Sequence, residues 1–253
     1  MQEATAQPRL VYSARDEGRE DGPLQIIDRL RACLFQGDLA AGARLSEPAL
    51  ATMLGVSRTP IRAALQRLQI EGWLESTANG GYRVRQFSRE DVASALAVHA
   101  ALEGLAVRLA SEQGVAPSLM SQARELLIRM DMLLGDDVRV PETFELFVAR
   151  HGEFHRLLVK MAACPMIDNT LEHVRAHPLS IAAHVFFSTG RGLADVRMAL
   201  TLAQEHHRSV LDAIKRQQGT RAEALVREHA ALLERHLDAV GQRHDVPFLT
   251  RAG

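Results

Sequence analysis

Apolar residues recur at helical spacing in the first third of the chain and predict three short helices. The first helix is expected at about residues 24–36. Its buried stripe would consist of Ile26, Ile27, Leu30 and Leu34. A second helix is predicted to begin after Ser46, and a third to start near Ser57 and end at about Ile70.

The stretch from Gly55 to Arg62 has the pattern of a tight turn followed by an amphipathic helix. Gly55 suits the end of the second helix, Ser57 suits the N-cap of the third, and Pro60 is tolerated in its first turn. One face of the third helix would carry Ile61, Leu65 and Leu68, and the other Arg58, Arg62 and Gln66. Such a helix is typical of the recognition helix of a helix-turn-helix, and a surface helix with a solvated basic face is the alternative.

Two short strands are expected after the third helix, at residues 73–76 and 82–85. The segment 77–81 joins them, with Asn79 and two glycines, Gly80 and Gly81, where a hairpin needs positive φ. Three helices and a hairpin in sequence predict a winged helix-turn-helix over residues 23–87.

After Ser88 only helical periodicity remains. Ser88 is expected to cap a long helix, and turn signals separate the helices that follow. They are predicted at about 89–113, 117–134, 141–162, 166–187, 193–217 and 220–241. Six amphipathic helices with short connections predict an antiparallel bundle over residues 88–242, so the protein is expected to be mainly α. Residues 1–22 are predicted to form a disordered arm and residues 243–253 a tail.

Charge and cysteine content narrow the classes of function. The 253 residues carry a formal net charge of −1, so the whole chain is not a general polyanion binder. Residues 41–89 nevertheless hold seven arginines against three acidic residues, which favours phosphate binding by this part. The two cysteines indicate a reducing compartment. No apolar run reaches the roughly 20 residues that a membrane span requires, and a cytoplasmic protein is expected.

Longer segments resemble one family in residue type and spacing. The segments DLAAGARLSE (38–47), LGVSRTPIRAAL (54–65), EGWL (71–74) and GGYRV (80–84) resemble the winged helix of GntR-family bacterial transcription regulators. The bundle is similar to the FCD effector domain of the FadR subfamily at LEGLA (102–106), FHRLL (154–158), HRSVLDAI (207–214) and REH (227–229). Six predicted bundle helices look more like the VanR-type branch of that subfamily.

The resemblance implies a homodimer that binds a short palindromic operator in double-stranded DNA. A small molecule in the bundle, usually an organic acid, would change the DNA affinity, most often by relieving repression. By position, the DNA contacts of the family map onto Ser57, Arg58, Thr59, Arg62, Gly80 and Gly81. Many relatives carry arginine where this chain has Pro48. One DNA contact is therefore expected to be missing, and Arg58 and Arg62 to carry more of the recognition.

Four histidines are expected to meet where three helices face one another. His151 and His155 are four residues apart on one helix, and His207 and His229 lie on the last two helices. Four imidazoles can bind a divalent transition metal, zinc foremost and nickel or cobalt as further candidates. Partly exposed or hydrogen-bonded histidines without a metal are the alternative. The resemblance implies a metal role for His155, His207 and His229, because metal-binding FCD domains carry histidines there, while His151 takes the position of an aspartate.

Effector contacts are expected beside this cluster. An open coordination position on the metal would bind an effector carboxylate directly. His99 stands where many organic-acid-binding relatives carry an arginine that clamps the carboxylate, and Arg150 adjoins His151. Both are candidate effector contacts, and a buried, hydrogen-bonded His99 is an equal alternative.

Regulation by a metabolite at a histidine-bound metal is the leading hypothesis. A regulator that senses the metal itself is a second hypothesis, and a metal-dependent enzyme on a helical bundle is a third. The enzyme is disfavoured because HGEFH (151–155) places glutamate wrongly for a zincin, and no Glu-x-x-His pair falls at a candidate ligand. The sequence therefore predicts a regulator without enzymatic activity.

Overall fold

The computed structural model describes residues 23–78, 80–136, 140–177 and 193–241. These residues form two units, the first ending at Gln86 and the second beginning at Phe87. The predicted arm and tail, Asn79 of the hairpin, and the last part of the helix predicted at 166–187 lie outside the described residues.

Three helices and a small sheet form the first unit. The helices are α1 (Pro23–Gln36), α2 (Glu47–Leu54) and α3 (Arg58–Ile70), and the strands are β1 (Arg44–Leu45), β2 (Leu74–Ser76) and β3 (Tyr82–Val84). Strand β3 is central and antiparallel to both neighbours. The predicted winged helix-turn-helix is confirmed. Strand β1 was not predicted, because two residues are too few to show an alternating pattern.

Apolar stripes from the helices build the core of the first unit. Ile26 and Leu30 of α1, and Ile61, Leu65 and Leu68 of α3, are fully buried. Burial of one stripe on each helix leaves the opposite face of α3 in solvent, as its sequence pattern predicts.

A buried carboxylate, Glu71, lies directly after α3 and pairs with two arginines. Its Oε1 accepts hydrogen bonds from Arg31 Nη2 at 2.6 Å and from Arg67 Nε at 2.7 Å, and its Oε2 accepts from Arg31 Nε at 3.1 Å. A buried charge is tolerated only when it is paired in this way, so Glu71 connects α1 to the end of α3. Arg67 is therefore ion-paired with Glu71.

Six described helices form the second unit. They are α4 (Arg89–Gln113), α5 (Pro117–Gly135), α6 (Pro141–Met161), α7 (Pro165–Ala176), α8 (Leu193–Lys215) and α9 (Gly219–Gly241). Helix α4 packs against α6, α7, α8 and α9, while α5 packs against α6 and α8. The predicted C-terminal helical domain is confirmed, and α4 is its central helix.

The start of α4 and the end of α7 show how the sequence determines where a helix begins and ends. Ser88 Oγ accepts a hydrogen bond from Asp91 N at 3.1 Å, and Ser88 N donates to Asp91 Oδ2 at 2.8 Å, so the predicted cap of α4 is a full capping box. The prediction of one helix over 166–187 is wrong, since α7 ends at Ala176 and His177 is extended. Pro178 follows, and a proline disfavours the helical conformation of the residue before it.

Among the described residues, one helix is long and apolar enough to cross a membrane by length and composition alone, the Glu90–Gln113 part of α4. The sequence predicts no membrane span. Helix α4 contacts four other helices of this unit and carries the buried carboxylate Glu103, and the core helix of a bundle can have the same length and composition.

Candidate functional site

The turn into α3 adopts the conformation that its sequence predicts. Gly55 ends α2 with φ 70°, a left-handed value that glycine adopts without strain. Ser57 occupies the N-cap of α3 with extended backbone, but its side chain makes no capping hydrogen bond. The exposed Ser57 and Thr59 side chains lie at a helix N-terminus, where hydroxyl and N–H groups can bind phosphate.

The arginines on the outer face of α3 share one carboxylate from α2. Arg62 Nε and Nη2 each donate to an oxygen of Glu47 at 3.1 Å, and Arg58 Nη2 lies 3.8 Å from Glu47 Oε2. The hydrogen bonds from Arg62 lower the pKa of Glu47, so the carboxylate is ionised. This role of Glu47 was not predicted from the sequence, because 15 residues separate it from Arg62.

The tip of the β2–β3 hairpin is shaped by backbone hydrogen bonds. Thr77 N donates to Gly81 O at 3.1 Å, Gly80 N donates to Thr77 O at 2.9 Å, and Thr77 Oγ1 donates to Gly80 O at 2.7 Å. Gly80 and Gly81 have φ values of 78° and 96°. This exposed tip has no side chain at either glycine, so a nucleic-acid backbone can approach it closely.

In the second unit the four predicted histidines converge. One ring nitrogen from each of His151, His155, His207 and His229 lies within 4.8 Å of the others. His155 Nε2 is 3.1 Å from His151 Nε2, and His207 Nε2 is 3.4 Å from His229 Nε2. Tetrahedral zinc with Zn–N bonds of about 2.0–2.1 Å separates its nitrogen ligands by roughly 3.3 Å. The cluster therefore has a donor set and spacing that could hold a metal ion.

Two of these histidines are oriented through their other ring nitrogen. His155 Nδ1 donates to Glu103 Oε1 at 2.6 Å, and His207 Nδ1 lies 2.9 Å from Gln204 Oε1. A proton on Nδ1 leaves a lone pair on Nε2, which is the atom that faces the cluster in both residues. In the sequence, Glu103 is distinguished only as part of the segment 102–106 that resembles the family. Its contact with His155, which joins α4 to α6, was not predicted.

Burial keeps two histidines of the cluster, His207 and His229, in the neutral form. It lowers the pKa of His207 well below its ordinary value, and the neighbouring histidines lower it further. Burial and His155 also lower the pKa of His229, to about 3. Burial alone would raise the pKa of Glu103, but the charge and hydrogen bonds of His155 and His99 outweigh it and hold the pKa well below its usual range. The neutral imidazoles of His207 and His229 and the ionised carboxylate of Glu103 make this site receptive to a cation.

The two candidate effector contacts, His99 and Arg150, have different partners. His99 Nε2 is 3.6 Å from Glu103 Oε2, so His99 and His155 face the same carboxylate. Arg150 donates to both oxygens of Glu153 on its own helix, at 2.7 and 2.8 Å. His99 therefore lies beside the cluster, while the guanidinium of Arg150 is engaged by Glu153.

His206 lies closer to the cluster than its position on the helix indicates. Its ring centroid is 6.2 Å from that of His229. His206 Nδ1 and His229 Nδ1 are both buried and have no hydrogen-bond partner among the described residues.

Both parts of the chain match families of known proteins. The model for bacterial regulatory proteins of the gntR family matches residues 24–84, and the FCD domain model matches residues 94–232. A probable D-xylose utilization operon transcriptional repressor from Paenarthrobacter nicotinovorans is 30% identical over 211 residues, which cover 82% of this chain and 84% of the relative. An uncharacterized HTH-type transcriptional regulator from Bacillus subtilis, YdhC, is 27% identical over 81% of this chain and 86% of its own length.

Solved structures share the fold at lower identity. McbR/YncC from E. coli has a TM-score of 0.62 and 21% identity, covering 88% of this chain and 98% of its own. Lar, which controls the agr system of Listeria monocytogenes, also has a TM-score of 0.62, with 16% identity over 90% of this chain and 100% of its own. These two structures share the arrangement of the chain, and at this identity they carry no information about ligands.

Proposed function

Because the chain belongs to the GntR family and carries an FCD domain, we propose that a small metabolite controls its DNA affinity at a histidine-bound metal. It is a DNA-binding transcriptional regulator, and the family and the names of its relatives indicate no enzymatic activity. Its effector, metal, oligomeric state and operator contacts are proposals.

The convergence of four Nε2 atoms carries the proposal. Without a cation, the Nε2 atoms pair with one another, His155 with His151 and His207 with His229, and each pair needs a proton on one of its two nitrogens. A metal ion would bind the lone pairs of all four nitrogens at once. His151, His155, His207 and His229 would hold the ion, and their nitrogen donors favour zinc, nickel or cobalt over magnesium or calcium.

The ion would supply positive charge for an anionic effector, most simply a carboxylate. His151 and His155 are only partly buried, so the cluster is within reach of solvent on their side. His99 would contribute to effector binding through its pairing with Glu103. Arg150 would have to leave Glu153 to reach an effector, which makes it the weaker of the two predicted contacts.

On the DNA side, Arg58 and Arg62 would read bases in the major groove of a short palindrome. A guanidinium can donate two parallel hydrogen bonds to guanine, as Arg62 does to Glu47 in the free protein. Ser57, Thr59, Gly80 and Gly81 would contact the phosphate backbone. Two copies of the chain would bind the two half-sites, in the cytoplasm.

Operator binding measured under defined metal conditions tests this function. The protein selects its own DNA fragment from a random pool and is then stripped with EDTA. Its affinity for that fragment is measured alone, with zinc, nickel or cobalt, and with added carboxylates. D-xylose is included because one relative is named for a D-xylose operon. We expect a ligand to change DNA affinity only when metal is present.

Two variants complete the test. His207→Ala together with His229→Ala is expected to abolish stoichiometric metal and the response to the ligand. His173→Ala is the matched control, because His173 is exposed on α7 and only its own helix accepts its hydrogen bond. If metal alone switched DNA affinity and no organic ligand did, the metal-sensing alternative would replace the metabolite hypothesis. Full metal content in the double variant would remove the four-histidine site.

A further inference from the structure

A buried glutamine connects the histidine cluster to a helix that supplies none of its four histidines. Gln204 of α8 is 1% exposed. Its Nε2 donates to two acceptors on α5, Leu127 O at 3.1 Å and Asp131 Oδ1 at 2.8 Å. Its Oε1 lies 2.9 Å from His207 Nδ1. The Gln204 amide therefore contacts two groups on α5 through Nε2 and His207 through Oε1.

The two acceptors on α5 fix the orientation of this amide. A backbone carbonyl and a carboxylate can only accept, so the NH₂ group of Gln204 must face them and Oε1 must face His207. Because Oε1 has no proton to give, His207 Nδ1 must donate, and its lone pair lies on Nε2. Nε2 of His207 is the atom that faces His229. The amide thus selects the tautomer of His207 that can bind a metal.

Asp131 is itself held in place. Its Oδ1 accepts a second hydrogen bond from Arg208 Nη2 at 2.6 Å, and Arg208 Nη1 also contacts Glu205. Arg208 and Glu205 lie on α8, as Gln204 does. Two side chains of α8, Gln204 and Arg208, therefore donate hydrogen bonds to the Asp131 carboxylate of α5. Reorienting the amide would break the contacts with Leu127 and Asp131 together.

From this geometry we propose that Gln204, fixed by Asp131, is a positioning residue of the metal centre. The inference rests on the proposed metal site. It adds that the site includes α5, although α5 supplies no ligand from among its described residues. Glu103 of α4 orients His155 in the same way, but with a carboxylate. The two histidines are thus oriented independently, by partners on different helices.

The experiment measures zinc affinity by competition with a chromophoric chelator, using the full chain stripped of metal. Gln204→Leu removes the polar contacts at similar volume and is expected to weaken zinc binding about 10- to 100-fold. Gln122→Leu is the control, because Gln122 is exposed on the neighbouring helix α5. Asp131→Asn retains an acceptor for Gln204 Nε2 and should keep the affinity within a few fold, whereas Asp131→Leu should lose it as Gln204→Leu does.

A second measurement does not depend on the folding of any variant. Long-range ¹H–¹⁵N NMR of the metal-free wild-type protein reports which nitrogen of His207 carries the proton, and we expect Nδ1. A proton on Nε2, or Gln204→Leu that binds zinc as tightly as wild type does, would overturn the inference while leaving the metal site in place. A wild-type protein that binds no zinc, nickel or cobalt would overturn the proposed function and this inference with it.

Discussion

Acidification of the metal-free protein is expected to reveal the cost of burying His229. Burial and the neighbouring His155 lower the pKa of His229 to about 3, whereas an unfolded histidine titrates at about 6.5. Below pH of about 6.5 the unfolded chain takes up a proton at this residue that the folded chain cannot accept. As far as His229 is concerned, the free energy of unfolding is therefore largest above that pH and decreases as the pH is lowered towards about 3.

The size of the loss follows from the two pKa values. Each pH unit between them costs about 1.4 kcal/mol for one residue, and between about pH 7.5 and pH 5.5 the integrated loss from His229 is also about 1.4 kcal/mol. His207 changes stability in the same direction, because its pKa is lowered for the same reason. The total pH dependence of the wild-type protein therefore exceeds that of His229 alone.

Urea unfolding at these two pH values, with EDTA present, measures the effect. His229→Gln is expected to lose about 1.4 kcal/mol less stability than wild type on acidification, because glutamine does not titrate. His173→Gln is the control and should behave as wild type, since His173 is exposed. Equal pH dependence in His229→Gln and wild type would refute the reasoning and show that His229 is accessible to protons in the folded state.

Further predictions concern the first unit. Arg62→Ala is expected to weaken binding to the selected operator roughly 5- to 150-fold, measured by fluorescence anisotropy, if Arg62 reads a base; an operator affinity equal to that of the wild-type protein would remove Arg62 from the base readers. Gly55→Ala is expected to destabilise the first unit by about 1 kcal/mol in urea unfolding, because a left-handed residue other than glycine is strained and nothing lies within 4 Å of the added methyl group. Gly135→Ala, equally uncrowded but in a helix without positive φ, should be neutral or stabilising, and a loss in both variants would contradict the backbone argument. Leu65→Ala should cost about 2–5 kcal/mol, since Leu65 is fully buried, and a smaller loss would show that the core collapses around the gap.

Features that depend on local periodicity could be predicted from the sequence. The stripe of Ile61, Leu65 and Leu68 is buried as its spacing indicates. His151 and His155 converge because they are four residues apart on one helix. The end of α7 was also within reach of sequence reasoning, because Pro178 makes the preceding residue a poor helix position.

The contacts between distant residues could not be predicted in this way. Gln204 and Asp131 are 73 residues apart, and only the packing of α5 against α8 brings them together. The pairing of Arg62 with Glu47 likewise depends on how α2 and α3 cross, since neither residue shows a preferred partner in the sequence. Helical spacing together with the family resemblance therefore indicated the cluster, while the groups that orient its members required the three-dimensional structure.

The ion pair between Arg62 and Glu47 has a consequence for how DNA binding responds to salt. An arginine that binds DNA normally contributes to affinity by releasing a counterion condensed on the duplex. In the free protein, Arg62 is already paired with Glu47, and a guanidinium that turned to DNA as proposed would give up that pair. A cation that then neutralised the Glu47 carboxylate would offset part of the counterion release. Under that proposal, operator binding should depend on salt less steeply than the arginine content of the interface indicates.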